Sequence, residues 1–330
     1  MKKKFIIKNL FPFIIIRSFR NALEVVFHRF KSKKLEKNIK LLLDLFIIRF
    51  IFGLTYFRNQ IKQKENKKKI FNKFSINNEG VNETLNSLFI NGFAGEYKFA
   101  KEVSQRLGEE MITNCFNANI LYKNGKTEII ENLKFNSLKE AKEKVDKNNI
   151  HIFKGEVKIE SNSFLKKLMQ TDYFNEIASC YLNNNKISIN ASIFISNPFD
   201  ELGVNKDEVL KKAAQKYHFD VDYKKFFKLF IYFSDVKETN YGSHIFIPKT
   251  HINKSNRHQI TRRFEDDEVE INYNKKREFL GESGTFFFVD TFGIHKGSPV
   301  KYNQRVAAYI EFGYSHFKLT NNTTYIKLKK

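Results

Sequence analysis

The stretch HFDVDYKKFFKLFIYF, residues 218–233, contains the features from which a fold can be predicted. It begins with alternating side chains, which predicts a strand that places His218 and Asp220 on the same face. Two side chains on one face of a strand can bind the same ion or small molecule. A third side chain that binds it would have to come from another strand that the fold places alongside.

Two later segments supply such strands. The Gly-bounded apolar run GTFFFV at 284–289 predicts a buried strand, and RVAAYIEFGY at 305–314 predicts the strand beside it. Short strands separated by turns are typical of a double-stranded β-helix, the jelly-roll barrel. The predicted fold class is therefore mostly β with helices (α+β), with helices flanking the barrel and a helical extension at the N-terminus.

The middle of the chain predicts the scaffold around that barrel. Asn124-Gly125 is a typical hairpin turn, and Ser137 followed by Glu140 is a capping box at the start of a helix. The predicted elements are a hairpin at 120–130, helices at 136–149 and 163–182, and strands at 150–157 and 186–197.

A candidate metal site combines His218 and Asp220 with His295, which follows the apolar run at 284–289. Two histidines and one carboxylate form the facial triad that holds Fe(II) and leaves positions open for a cosubstrate and O₂. Arg305 begins the next strand and suits a two-pronged bond to a carboxylate. This pattern indicates an Fe(II)- and 2-oxoglutarate-dependent oxygenase.

A His-x-Asp pair alone is weak support, since chance gives roughly 0.3 such pairs in a chain of this composition. The alternative for His218 is a half-buried strand histidine bonded to a neighbouring carboxylate. The surrounding sequence distinguishes these readings. HFDVDYKKFFKLFIYFSDVKETNYGSHIFIPKTH, followed by GTFFFVDTFGIHKGS and QRVAAYIEF, resembles the phytanoyl-CoA dioxygenase family over about residues 150–315.

The resemblance implies that His218, Asp220 and His295 hold Fe(II) and that Arg305 binds the distal carboxylate of 2-oxoglutarate. An intact Asp220 implies hydroxylation, because halogenating relatives have a small residue there. Many related enzymes pair the arginine with a hydroxyl two residues later, where this chain has Ala307. Ser298 or Tyr309 could supply that hydroxyl instead, and Ser298 is included among the candidate cosubstrate residues.

The N-terminal residues 1–73 are strongly basic, with 20 Lys and Arg against 4 Asp and Glu in a chain of net charge +22. Large apolar residues recur at helical spacing among these charges, and the apolar run at 43–57 is too short and charged to be a typical membrane span. Basic amphipathic helices more often lie at a membrane surface. The alternative is a helical hairpin packed on the barrel. No nucleic-acid motif accompanies the basic charge, so a nucleic-acid partner is not expected.

The charged connection at 252–280 contains Arg262 and Arg263. These arginines could bind an anionic substrate from a lid over the site. Alternatively, the connection is a surface loop whose acidic residues balance them.

Two cysteines, Cys115 and Cys180, indicate ordinary buried thiols rather than disulfides or a zinc site. The N-terminus offers no small-residue cleavage site, which predicts a cytoplasmic protein. If the basic helices of residues 1–73 bind a membrane surface, the protein would be peripheral on the inner face of that membrane. The predicted domains are the extension, 1–73, and a jelly-roll oxygenase domain, 74–330. We expect a hydroxylase acting on a small molecule, such as an anionic or lipid-linked envelope precursor. The competing hypothesis is a catalytically inactive, membrane-associated binding protein on the same barrel.

Overall fold

A computed structural model describes residues 79–184, 186–199, 206–220, 222, 225–254, 263–314 and 324–327. The basic extension 1–73 and Arg262 lie outside the described residues. Within the described ranges, none of the helices combines the length and apolar character needed to cross a membrane.

Seven helices and twelve strands are formed by the described residues. The helices are α1 (Glu79–Asn91), α2 (Lys101–Thr113), α3 (Leu138–Lys147), α4 (Phe164–Met169), α5 (Asp172–Leu182), α6 (Lys206–Lys212) and α7 (Asp266–Asn272). The strands are β1 (Phe93–Lys98), β2 (Cys115–Tyr122), β3 (Thr127–Glu131), β4 (Ile150–Val157), β5 (Lys186–Ser196), β6 (Lys225–Tyr232), β7 (His244–Phe246), β8 (Arg277–Phe279), β9 (Thr285–Val289), β10 (His295–Gly297), β11 (Arg305–Tyr314) and β12 (Thr324–Lys327).

The strands form two antiparallel sheets. The large sheet has nine strands in the order β1-β9-β6-β11-β5-β4-β2-β3, with β12 also paired to β5. The small sheet has three strands in the order β10-β7-β8. The mostly antiparallel fold with several helices agrees with the predicted fold class. The barrel itself is not closed in the described part of the chain, because the three-residue strands of the small sheet do not pair with the edges of the large one.

The two faces of the large sheet have different neighbours. Along β11, Val306, Ala308 and Ile310 belong to the main hydrophobic core, which also contains buried residues of α1 to α5. Ala307 instead packs with Phe246 and other side chains between the two sheets. Because side chains alternate along a strand, Arg305, Tyr309 and Glu311 share the face of Ala307. The helices therefore cover one face, and the functional side chains lie on the other.

Several local predictions are confirmed. The β2–β3 hairpin turns at Gly125, whose φ is 81°. Ser137 Oγ accepts a hydrogen bond from the Glu140 amide at the start of α3. Strands β4 and β5 lie where the sequence places them. Cys115 and Cys180 are both free and buried.

Three local predictions require correction. The helix predicted at 163–182 is divided into α4 and α5, because Thr171 adopts extended backbone angles of φ −62° and ψ 153°. His218 and Asp220 do not open a strand: β6 begins only at Lys225. Finally, β11 is not the neighbour of β9, because β6 lies between them.

Candidate metal and cosubstrate site

His218, Asp220 and His295 come together at the small sheet, with their potential ligand atoms all within 4.8 Å of one another. His218 Nε2 lies 3.8 Å from Asp220 Oδ1, and His295 Nε2 lies 3.6 Å from Asp220 Oδ2. Among the described residues, this is the grouping of His, Cys, Asp and Glu that could hold a metal ion. Two imidazoles and one carboxylate are suitable ligands for Fe(II).

Backbone pairing holds the ligands in place. The amide of His218 donates to the carbonyl of His295 at 2.9 Å, and the amide of His295 donates back at 2.8 Å. The amide of Asp220 donates to the carbonyl of Thr291 at 2.8 Å. Residues 218–220 therefore run beside residues 291–295 instead of extending β6, which explains why the predicted strand is absent while its two side chains still converge.

The imidazole tautomers are fixed by neighbouring carbonyls. His218 Nδ1 lies 2.9 Å from the carbonyl oxygen of Lys216, and His295 Nδ1 lies 2.9 Å from that of Gly293. A carbonyl oxygen only accepts, so each Nδ1 carries the hydrogen when the ring is neutral. Each Nε2 is then the unprotonated nitrogen, and its lone pair lies on the side of Asp220. Such outer hydrogen bonds orient metal-binding histidines in general.

The charge states also suit a metal. Burial, together with the nearby His218, lowers the pKa of His295 to about 3, so the ring is neutral at physiological pH. Burial by itself would raise the pKa of Asp220, but Lys228 and the two imidazoles hold that pKa well below its usual range. Neutral imidazoles and an ionised carboxylate are the forms that bind metal ions.

Lys228 lies beside this site, and no motif in the sequence marks it as a site residue. Its ammonium lies 2.7 Å from Asp220 Oδ2, 3.0 Å from Asp222 Oδ2 and 3.3 Å from Glu311 Oε1. It also lies 4.6 Å from the centre of the Tyr309 ring. Its signal in the sequence is a lysine inside the apolar run of β6, at a spacing that places it on the site face.

Arg305 is a half-buried cation without an acidic partner among the described residues. Its Nη1 donates to the carbonyl of Gly242, and its Nη2 donates to Ser196 Oγ at 3.1 Å. No carboxylate of the described residues lies within 4.0 Å of its guanidinium, and its Nε is buried without a hydrogen-bond partner. A buried charge is normally paired, so this guanidinium fits the distal carboxylate of 2-oxoglutarate.

The candidate hydroxyls are arranged differently from expectation. Ser298 Oγ lies 3.2 Å from Ser243 Oγ, which itself donates to Glu278. The Tyr309 ring packs between Phe194 and Phe230. The hydroxyl that contacts Arg305 is that of Ser196, which stands directly opposite it in the β5–β11 pairing. A partner on the neighbouring strand depends on the register in which β5 and β11 pair. The spacing of residues along the chain therefore could not identify Ser196.

The substrate arginines are only partly described. Arg263 is exposed and forms a backbone bridge with His218, so it lies next to the metal site. The neighbouring acidic residues have lysine partners elsewhere: Glu265 binds Lys211 and Lys216, and Asp266 binds Lys296.

No protein-family model matches the chain, and no characterised protein matches its sequence. Solved structures do resemble it. AviO1 from Streptomyces viridochromogenes Tue57 is 14% identical, with a TM-score of 0.44 over 71% of this chain and 94% of AviO1. HygX from Streptomyces hygroscopicus, solved with nickel and 2-oxoglutarate, is 12% identical, with a TM-score of 0.43 over 71% and 87% of the two chains.

The non-heme α-ketoglutarate-dependent epimerase SnoN from nogalamycin biosynthesis is 10% identical, with a TM-score of 0.44 over 71% of this chain and 82% of its own. These values are too low to assign a family, a cofactor or a reaction to this chain. The resemblance to the phytanoyl-CoA dioxygenase family is likewise not confirmed by a family match. The assignment of function therefore depends on the geometry of the site.

Proposed function

We propose that this protein is an Fe(II)- and 2-oxoglutarate-dependent dioxygenase that hydroxylates a small molecule. The observation that carries the proposal is the convergence of two Nε2 lone pairs and one ionised carboxylate within 4.8 Å. The half-buried Arg305, whose Nε is buried and which lacks an acidic partner among the described residues, supports a dicarboxylate cosubstrate. An inactive binding protein would have no need of both features.

In this proposal, His218, Asp220 and His295 hold Fe(II), and Arg305 binds 2-oxoglutarate. Together with O₂, these cofactors supply oxidation of an unactivated C–H bond while 2-oxoglutarate becomes succinate and CO₂. The protein's own contribution is positioning. The carbonyls of Lys216 and Gly293 orient the imidazoles.

Ser196 and the carbonyl of Gly242 orient the guanidinium of Arg305. Phe230 and Phe287, which stack with their ring centres 5.5 Å apart, provide apolar surface between the sheets. Such surface limits the access of water to the site.

The direct test is stepwise binding without oxygen. Anaerobic protein should bind one equivalent of Fe(II), and 2-oxoglutarate should then produce a visible charge-transfer band that requires both Fe(II) and Arg305. Admitting O₂ should convert the bound 2-oxoglutarate to succinate. Absence of Fe(II) binding, or 2-oxoglutarate binding that is indifferent to the metal, would reject the proposed function.

The substrate class is a finer part of the proposal. Arg263, next to His218, and Arg262 would bind an anionic group, and the +16 charge of residues 1–73 would attract anionic lipid. A lipid-linked envelope precursor at the inner face of a membrane would satisfy both requirements. Full-length protein should then sediment with anionic liposomes in a salt-sensitive manner, whereas a shortened protein beginning at Phe74 should not. Equal sedimentation of the two proteins would reject the membrane contact.

A further inference from the structure

Lys228 is the most deeply buried charge in contact with the candidate metal ligands. Only 6% of its side chain is exposed, and its ammonium forms hydrogen bonds to Asp220 and Asp222. Lys228 lies on β6 directly opposite Glu311 on β11, so the pairing of the two strands fixes the position of its backbone. Burying an ammonium is costly unless it is paired, and these carboxylates pair it.

The ammonium contacts one side of the Asp220 carboxylate. Its hydrogen bonds within the described part of the chain go to Asp220 and Asp222, and neither imidazole is among its partners. Lys228 donates to Oδ2 of Asp220, the oxygen nearer His295 Nε2, while Oδ1 is the oxygen nearer His218 Nε2. The hydrogen bond of Lys228 therefore engages Oδ2 and leaves Oδ1 without a bond from this lysine.

We propose that Lys228 is a positioning residue that holds Oδ2 of Asp220 and leaves Oδ1 to bind the metal. This inference rests on the proposed function. A carboxylate that bound through both oxygens would use a coordination position that 2-oxoglutarate or O₂ requires. By occupying Oδ2, Lys228 restricts Asp220 to one metal bond and preserves the open positions of the facial triad.

A purely electrostatic role would have a different consequence. A positive charge near the site repels a divalent cation, so its removal would strengthen metal binding without changing how Asp220 binds the metal. Lys228 also pairs with Asp222, which limits the repulsion that reaches the metal. The coordination of Asp220, reported by the Co(II) spectrum, therefore separates positioning from repulsion.

The experiment measures Co(II) affinity by competition with a chromophoric chelator, together with the visible spectrum of the Co(II) protein. Lys228→Met removes the ammonium at similar length and should change the Co(II) spectrum, because Asp220 gains a second bond to the metal. That second bond should also keep Co(II) affinity equal or make it tighter. Lys228→Gln keeps an N–H donor and should restore part of the original spectrum.

Lys154 provides the matched control. It is another lysine on the site face of the large sheet, but its ammonium lies over Phe194 and Tyr309, at 5.6 Å and 5.5 Å, and does not contact the triad. Lys154→Met should leave Co(II) affinity and spectrum unchanged. If Lys228→Met does not fold, the double variant Lys228→Met, Glu311→Gln removes one unpaired acid and should show the same change in the Co(II) spectrum.

The outcomes distinguish the role of Lys228 from the existence of the metal site. An unchanged Co(II) spectrum in the Lys228 variants, when His295→Ala abolishes Co(II) binding, would overturn the role of Lys228 alone. Failure of the unmodified protein to bind Co(II) would instead reject the proposed metal site.

Discussion

His218 and His295 are joined by a reciprocal pair of backbone hydrogen bonds, and their ring centres lie 4.3 Å apart. This pairing brings together two residues from distant parts of the chain without a long strand at either position. The backbone also sets the orientation of the imidazoles, because each Nδ1 is hydrogen-bonded to the carbonyl oxygen two residues earlier in the chain. The arrangement of the candidate metal ligands is therefore determined by the backbone pairing and should not require a bound metal.

Removing the triad ligands should remove the metal. His218→Ala, Asp220→Ala and His295→Ala should each lose Fe(II), because three protein ligands are the minimum of a facial triad. Metal content after anaerobic loading and desalting is the measurement. His151→Gln is the control: His151 is also buried, but its nitrogens bond Asn197 and Gln215. Full occupancy in a His218→Ala, His295→Ala double variant would contradict the assignment.

Arg305 should govern the affinity for 2-oxoglutarate. Loss of one partner of a buried charge pair costs about 3–5 kcal/mol, so Arg305→Ala should raise the dissociation constant of 2-oxoglutarate by more than about tenfold. Arg305→Lys should also weaken binding, because the two-pronged geometry is lost. Calorimetry on the metal-loaded protein gives both constants. Arg277→Ala is the control, since that arginine binds Glu96 at the surface, and an unchanged constant in Arg305→Ala would place the cosubstrate elsewhere.

The sequence predicted the site better than it predicted the strands that build it. Alternation from His218 to Asp220 correctly placed both side chains together, although these residues pair with 291–295 and not as part of β6. Alternation reports which side chains share a face, but it does not report which backbone is the partner. The same limitation explains why β6 was not expected between β9 and β11.

Local chemistry was predicted where the interaction is local. The Ser137 cap and the hairpin turn at Gly125 involve neighbours in sequence, and both are present. Ser196 and Lys228 acquire their roles only through register, opposite Arg305 and Glu311 respectively. Lysines are rarely fully buried, and the carboxylates around Lys228 make its burial possible.

Tyr181 should stabilise the fold through a buried carboxylate. Its hydroxyl donates to Asp290 Oδ2 at 2.5 Å, and Asp290 is buried at the end of β9. Hydrogen bonds to charged groups contribute about 1.5–3 kcal/mol, so Tyr181→Phe should lower the free energy of unfolding by about that amount. Denaturant unfolding measures it, with Co(II) affinity as a check that the metal site is intact. A change below about 0.5 kcal/mol would show that Asp290 does not depend on this bond.

His251 should make stability depend on pH. Burial lowers its pKa to about 3, although its Nε2 lies 3.2 Å from the carbonyl oxygen of Phe89. The unfolded histidine has a pKa of about 6.5, so below that pH the unfolded chain binds a proton that the folded chain refuses. Between these two values, His251 should lower the free energy of unfolding by about 1.4 kcal/mol for each pH unit of acidification. Above pH 6.5 both states are neutral and the effect vanishes.

The variant His251→Gln isolates that contribution. It lacks the titrating group, so the slope of unfolding free energy against pH should be shallower than in the unmodified protein by about one proton between pH 6 and pH 4. The comparison requires urea unfolding at several pH values. Parallel slopes in the two proteins would mean that His251 takes up its proton in the folded state, through an opening of the contact between residue 251 and α1.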